Sequence, residues 1–334
     1  MNTIILNTIG TPCKARGGGN SGGGGNTPSA PKWTGHADAE GLKAIGWTDE
    51  DIAYYQEHGV NWNAEDDEYH KVTDDNKALY GVLTADNIQD YKHRIAYLPK
   101  IDTSEVTDMS YMFSFCYALV AMPMLDTSAV VNMTSVFDGC ASLSCIPLFD
   151  TSKVTNMRAA FQGCYVLENL PMLDTSNVTD MGGMFNICYS LKNIPPINTS
   201  KVVHFDQFAN SCYSLENAPN IKTALATDCS SIYSYCSNLR NIPTMDVINV
   251  ENDIELWEMS KLKHLQLDNL SVNCVIGSCM ISKDSILYII NHEAAKDTIV
   301  ITLSATSYNL LKDDNDIISS LLAHPLVSLA NYYE

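Results

Sequence analysis

One 24-residue pattern recurs from Pro99 to about Asp246 and limits what the chain can become. Its cleanest copy runs Asp174-Thr175-Ser176-Asn177-Val178-Thr179-Asp180-Met181, then Met184-Phe185-Asn186-Ile187-Cys188, Leu191 and Ile194-Pro195. Steps of 24 towards the N-terminus find Phe161, Phe137 and Phe113, with Cys164, Cys140 and Cys116 in the same frame. Towards the C-terminus the frame holds through Val202, Phe205 and Cys212, and again through Cys229, Tyr233 and Cys236. Apolar residues at fixed phases of a fixed period predict a solenoid, because one repeat cannot bury its apolar face without a neighbour. Short parallel strands are expected near the Leu-x-x-Ile and Val-x-x-Met segments, and a helical or 3₁₀ turn over Phe-x-x-Cys.

Most columns of the repeat read as structure. The Phe and Met columns are expected in the core. The in-register cysteines are read as small buried apolar residues, not as a disulfide framework. Asp102, Asp126, Asp150 and Asp174, with Asn198 in the fifth copy, could line a calcium ladder. A turn-fixing role fits better, since Asn does that work equally well and is a poorer calcium ligand. The column after the cysteine holds Tyr117, Tyr165, Tyr189 and Tyr213, interrupted by Ala141 and Ser237. Tyrosines along one side of a solenoid form a candidate recognition stripe for a glycan or a protein, or alternatively cover the edges of neighbouring coils.

Outside the repeats, 1–37 reads as a flexible Gly-rich arm, basic through Lys14 and Arg16 and with one apolar cluster, Ile4, Ile5 and Leu6. Its glycine run lacks the Gly-Lys-Ser/Thr of a phosphate loop. Residues 38–97 read as a small acidic helical module, with Thr48 and Asp51 as a capping box, placed to cap the start of the solenoid at 98–266. Residues 267–334 change pattern and are expected to form an α/β C-terminal cap, with a helix opening at Ser282, a strand over 298–303, a second helix and a final strand.

The net charge of −19 argues against nucleic acid as a ligand. No apolar run is long enough to insert in a membrane. His70 beside the acidic turn Asp66-Asp67-Glu68 is better read as solvated than as a metal site, and no zinc spacing, cofactor motif or catalytic elbow is present. No metal, cofactor or enzymatic activity is therefore expected.

The sentence Leu-Asp-Thr-Ser-x-Val-Thr-x-Met-x-x-Met-Phe-x-x-Cys-x-x-Leu-x-x-Ile-Pro resembles the BspA-type leucine-rich repeat, over about half of the chain. The resemblance implies an α/β leucine-rich-repeat solenoid and a role in adhesion. Similar repeats occur in structural proteins of tailed phages of gut Bacteroidales. With no export signal visible at the N-terminus, the resemblance implies a virion protein, a head or tail fibre or decoration, attached through the arm to a capsid or tail protein. Self-association and a host glycan or protein ligand are expected. A bacterial cell-surface adhesin is the alternative.

Overall fold

The computed structural model describes residues 42–43, 47–57, 97–98, 100–279, 281–294 and 296–332. The arm residues Ile4, Ile5, Leu6, Lys14 and Arg16, and His70, lie outside these residues, as does most of 38–97.

Successive repeats lie directly on one another. Asp108, Asn132, Asn156, Asp180, His204 and Asp228 form a continuous chain of parallel bridges, each residue pairing with the one 24 positions on. Where short strands are expected, the Leu-x-x-Ile segment bridges, among the described residues, only between Tyr97 and Ala121 and between Asn241 and His264, and the Val-x-x-Met segment of each of these coils supplies a single bridging residue. Two local features leave room for no more. On one side the Asp-Thr-Ser corner closes a turn, as when Val130 N–H donates to Thr127 O at 3.0 Å. On the other side, two residues after the Met position, the backbone turns left-handed at Tyr111, Ser135, Ala159, Gly183, Gln207 and Ser231.

A second left-handed position recurs four residues later, at Phe115, Gly139, Gly163, Ile187, Ser211 and Tyr235. Between the two, backbone donors alternate. The N–H groups of Met109, Tyr111, Phe113 and Phe115 donate along the stack to the carbonyls of Asn132, Thr134, Val136 and Asp138. Those of Met112, Ser114 and Cys116 fold back onto Met109, Tyr111 and Phe113. The result is a row of turns that pairs with the next coil, in place of a helical segment, because every second donor is committed outside its own coil.

The core follows the columns. Phe113, Phe137, Phe161 and Phe185 stack nearly parallel, with ring centroids 5.4, 5.7 and 5.8 Å apart. In the next coil Ala209 takes the Phe position, and Phe208 fills the space by packing edge-on against Phe185 at 5.4 Å. From Cys140 to Cys236 each buried column thiol donates to a carbonyl of the preceding coil, as Cys164 Sγ does to Phe137 O at 3.3 Å. The described cysteines are all free thiols. Burial pushes the Cys188 thiol up to about 12.

Rungs continue past residue 266, where the sequence pattern breaks. β1 (Met245–Asp246) pairs in parallel with β3 (Leu267–Asp268). β2 (Ile254–Leu256), β4 (Cys274–Ile276), β5 (Ile299–Ser304) and β6 (Val327–Tyr332) form one parallel sheet in that order. Helix α2 (Lys283–Asn291) joins β4 to β5 and is capped by Ser282, whose side chain accepts from Ser285 N–H. Between β5 and β6 the chain forms two helices where the sequence suggests one, α3 (Ala305–Leu311) and α4 (Asn315–Ala323). Asp314 separates them, since its carboxylate accepts from Asp316 and Ile317 N–H and starts a new helix.

Helix α1 (Asp49–Glu57) precedes the repeats. The Thr48–Asp51 capping box forms, with Thr48 N–H donating to Asp51 at 2.7 Å and Asp51 N–H to Thr48 Oγ1 at 3.1 Å. Helix α1 lies alongside the first coils, and the rest of the module expected to cap the stack lies outside the described residues. Trp47 Nε1 donates to Leu98 O at 2.6 Å, Asp51 accepts from Met124 N–H at 3.0 Å, and Tyr54 Oη donates to Ile146 O at 3.4 Å. Asp51 to Tyr54 is about 4.5 Å of helical rise, which matches one rung spacing of about 4.8 Å between the coils of Met124 and Ile146.

Candidate functional site

Each corner of the stack is built from the Asp-Thr-Ser sequence. Asp102, Asp126, Asp150 and Asp174 accept the N–H of the serine two residues on, at 2.9 to 3.1 Å, and Asn198 does the same for Ser200. Thr103, Thr151 and Thr175 each donate Oγ1 to the carbonyl at the start of the next corner. The hydrogen bonds from Ser104 hold the Asp102 carboxyl below the usual range, and those from Ser128, Ser152 and Ser176 do so for the other three. The geometry is that of a turn-fixing column. Among the described residues no group of three or more His, Cys, Asp or Glu side chains is arranged to hold a metal ion.

A second column of this kind escaped sequence reasoning. At the bridging positions, Asp108, Asn132, Asn156, Asp180 and Asp228 each accept the N–H two residues on. The signal was present in the repeat as the polar residue before each Met. On its flank Arg158 spans a whole coil. Its guanidinium binds both oxygens of Asp206 and reaches Asp180 at 3.4 Å. It passes over Gly182, where a Cβ would come within 2.2 Å of Arg158 Nη1.

The tyrosine column divides. Tyr165, Tyr189 and Tyr213 stack face to face, with ring centroids 5.0 and 4.9 Å apart and planes within 13° and 9°. They remain 43, 37 and 43% exposed. Tyr117 is separated from them by Ala141 and packs instead against Phe115, at 5.9 Å. Ladder-type stacking has a chemical consequence. Both faces of Tyr189 are covered by its neighbours, so that ring offers only its edge and hydroxyl. Partial burial, followed by the adjacent Tyr213 and Tyr165 hydroxyls, raises its pKa and keeps it a neutral donor. The outer faces of Tyr165 and Tyr213 look towards Ala141 and Ser237, neither large enough to cover a phenol ring. Tyr111, Phe115 and Tyr235 are also exposed, at left-handed positions for which the sequence carried no warning.

A family model described as "Mycoplasma protein of unknown function, DUF285" matches residues 85–171 and 161–267, more than half of the chain. The chain belongs to the DUF285 family. It is thus a BspA-like repeat protein, in keeping with the resemblance carried by its repeat. No curated protein matches it. The DUF285 match spans the corners, the Phe stack and every tyrosine of the ladder. No described helix is long and apolar enough to cross a membrane.

Proposed function

We propose that this DUF285 chain is a non-enzymatic recognition scaffold, a leucine-rich-repeat solenoid that presents the tyrosine ladder to a glycan or protein on a host surface. The observation that carries this reading is the ladder itself. Three half-exposed rings are held parallel, about one coil apart, on coils locked by backbone pairing and by the Phe stack. Rigid aromatic side chains with an apolar body and a polar tip bind at small entropic cost. The columns with demanding hydrogen-bond geometry spend it on turns, which favours binding over catalysis.

The virion is the setting we propose, with the chain serving as a head or tail fibre or decoration protein tethered to a capsid or tail protein by 1–37. Support comes from the resemblance of the repeat to structural proteins of tailed phages of gut Bacteroidales. Two measurements test the two parts. On a glycan array or intact host cells, Tyr189→Ala is expected to weaken binding about tenfold, about 1.4 kcal/mol and so short of a full hot spot because both faces of the ring are already covered; unchanged binding retires the ladder. Proteomics of purified virions is expected to find the chain. Its recovery in the bacterial envelope and not in particles would make it a cell-surface adhesin.

A further inference from the structure

We propose that the C-terminal end of the tyrosine ladder is a site for an acidic polysaccharide: a sugar ring rests on the open face of Tyr213, and its carboxylate or sulfate groups are held by Arg240, Lys261 and Lys263. The inference rests on the recognition reading above and adds a ligand class to it.

The ladder ends against small residues. Tyr189 covers one face of Tyr213, and the following positions of the column are Ser237 and, after a coil shortened by one residue, Ser260. Ser260 Oγ donates to Ser237 O at 3.4 Å, which places the two on adjoining rungs. Beyond the free face of Tyr213, therefore, lies a step about two rungs long, about 10 Å. That step opens into a groove of about 470 Å³ lined by Arg240, Asn241, Ser260, Lys261, Lys263 and His264. Asn238 ties the groove to the ladder. Its Nδ2 donates to Tyr213 O at 2.7 Å, and its Oδ1 accepts from Lys261 Nζ.

The charge pattern sets this groove apart on a chain of net charge −19. One column along the stack reads Glu168, Lys192, Glu216, Arg240, Lys263. Opposite charges alternate at first, and Lys192 pairs with Glu168 at 2.8 Å. The alternation then fails, with Arg240 and Lys263 on adjacent rungs, joined by the bond from Lys263 N–H to Arg240 O at 3.1 Å. Lys261 adds a third cation. Among the described residues none of the three is within ion-pair distance of a carboxylate. Like charges on neighbouring rungs repel, and a bound anion relieves that repulsion.

A polysaccharide fits better than the other polyanions. Nucleic acid carries a charge on every phosphate, and the acidic remainder of the chain opposes so dense a polymer. An acidic peptide has no flat C–H face for Tyr213. An acidic glycan has both features, an apolar ring face and sparse anionic groups beside it.

The test uses the full chain at physiological salt, against hyaluronan and alginate as carboxylate polymers, dextran sulfate as a sulfate polymer, and dextran and polyglutamate as controls. Binding to at least one acidic polysaccharide is expected, stronger than to either control; which polymer binds tells carboxylate from sulfate. The double substitution Arg240→Gln/Lys263→Gln is expected to lower that affinity about tenfold, as is Tyr213→Ala. All three positions are exposed, and unchanged thermal melts would show that the variants fold. The proposal is overturned if no acidic polysaccharide binds, if polyglutamate binds as well, or if the double variant binds undiminished. Failure of this site and failure of the ladder are separable. Host-surface binding lost with Tyr189→Ala but kept by the double variant would sink the groove alone; the opposite pattern would sink the ladder alone.

Discussion

Tyr233 sits where the first four described coils carry phenylalanine, fully buried and edge-on to Phe208 at 6.2 Å. Its hydroxyl has no hydrogen-bond partner among the described residues. A buried, unsatisfied hydroxyl costs about 1–3 kcal/mol. Tyr233→Phe is therefore expected to stabilise the chain by about 1 kcal/mol, read as a higher urea midpoint at constant slope. A lower midpoint would mean that the hydroxyl is satisfied in solution. Gly182 makes the converse case. It is kept free of a side chain so that Arg158 can reach Asp206, and Gly182→Ala must push the guanidinium off. Because Arg158 is partly exposed, that pair is worth only about 1 kcal/mol. Gly182→Ala should cost about that much, and nothing further once Arg158 is already alanine, which a double-mutant cycle would check.

Helix α1 shows how an element's place is set by a few polar contacts. Asp51 is buried, which by itself would disfavour its charge. Hydrogen bonds from Thr48 and Met124, with the charge of Lys100, outweigh that and hold its carboxyl below the ordinary value of 3.8. A carboxyl whose pKa is lowered by folding contributes stability that is complete above its unfolded value and is lost as pH falls through the folded one. The seat of α1 on the coils is therefore expected to be firm near neutrality and to loosen below pH 3.8, seen as falling exchange protection of the Met124 amide. Asp51→Asn should lower that protection at neutral pH and flatten its acid dependence. The capping box was legible because its partners are three residues apart. Where the helix lies was not, since Leu98, Met124 and Ile146 belong to three different coils. The two left-handed positions per coil were equally hidden, because glycine marks them at only Gly139, Gly163 and Gly183.

The molecule as a whole behaves as a stack whose stability is carried by neighbouring coils. Phe161 packs between Phe137 and Phe185, at 5.7 and 5.8 Å. Phe161→Ala is expected to cost about 3–5 kcal/mol. Hydrogen exchange should quicken most in the coils on either side and least in β5 and β6. Uniform loosening would instead mean that the stack unfolds as a single unit. The thiols report on the same packing. Each of the column cysteines Cys140 to Cys236 is buried and donates to a carbonyl, and burial raises the pKa of Cys140, Cys164, Cys188 and Cys212, so these thiols should resist alkylation at pH 8 until the chain unfolds.

What the sequence determined by itself was the period and the columns. Phe, Met and Cys at fixed phases can be buried only by stacking, and Asp-Thr-Ser closes a turn with atoms two residues apart. Tertiary structure decided everything that depends on which atoms of different coils come within reach. It turned the tyrosine stripe into a ladder with covered inner faces and two open ends. It carried Arg158 across a coil to Asp206. Shortening one coil by a residue brought Arg240 and Lys263 onto adjacent rungs. The period fixes which residues recur, whereas contact distances and ring orientations are set by the packing of one coil on the next. The feature we judge most informative for function, the open face of Tyr213 beside a cationic groove, belongs to that second class.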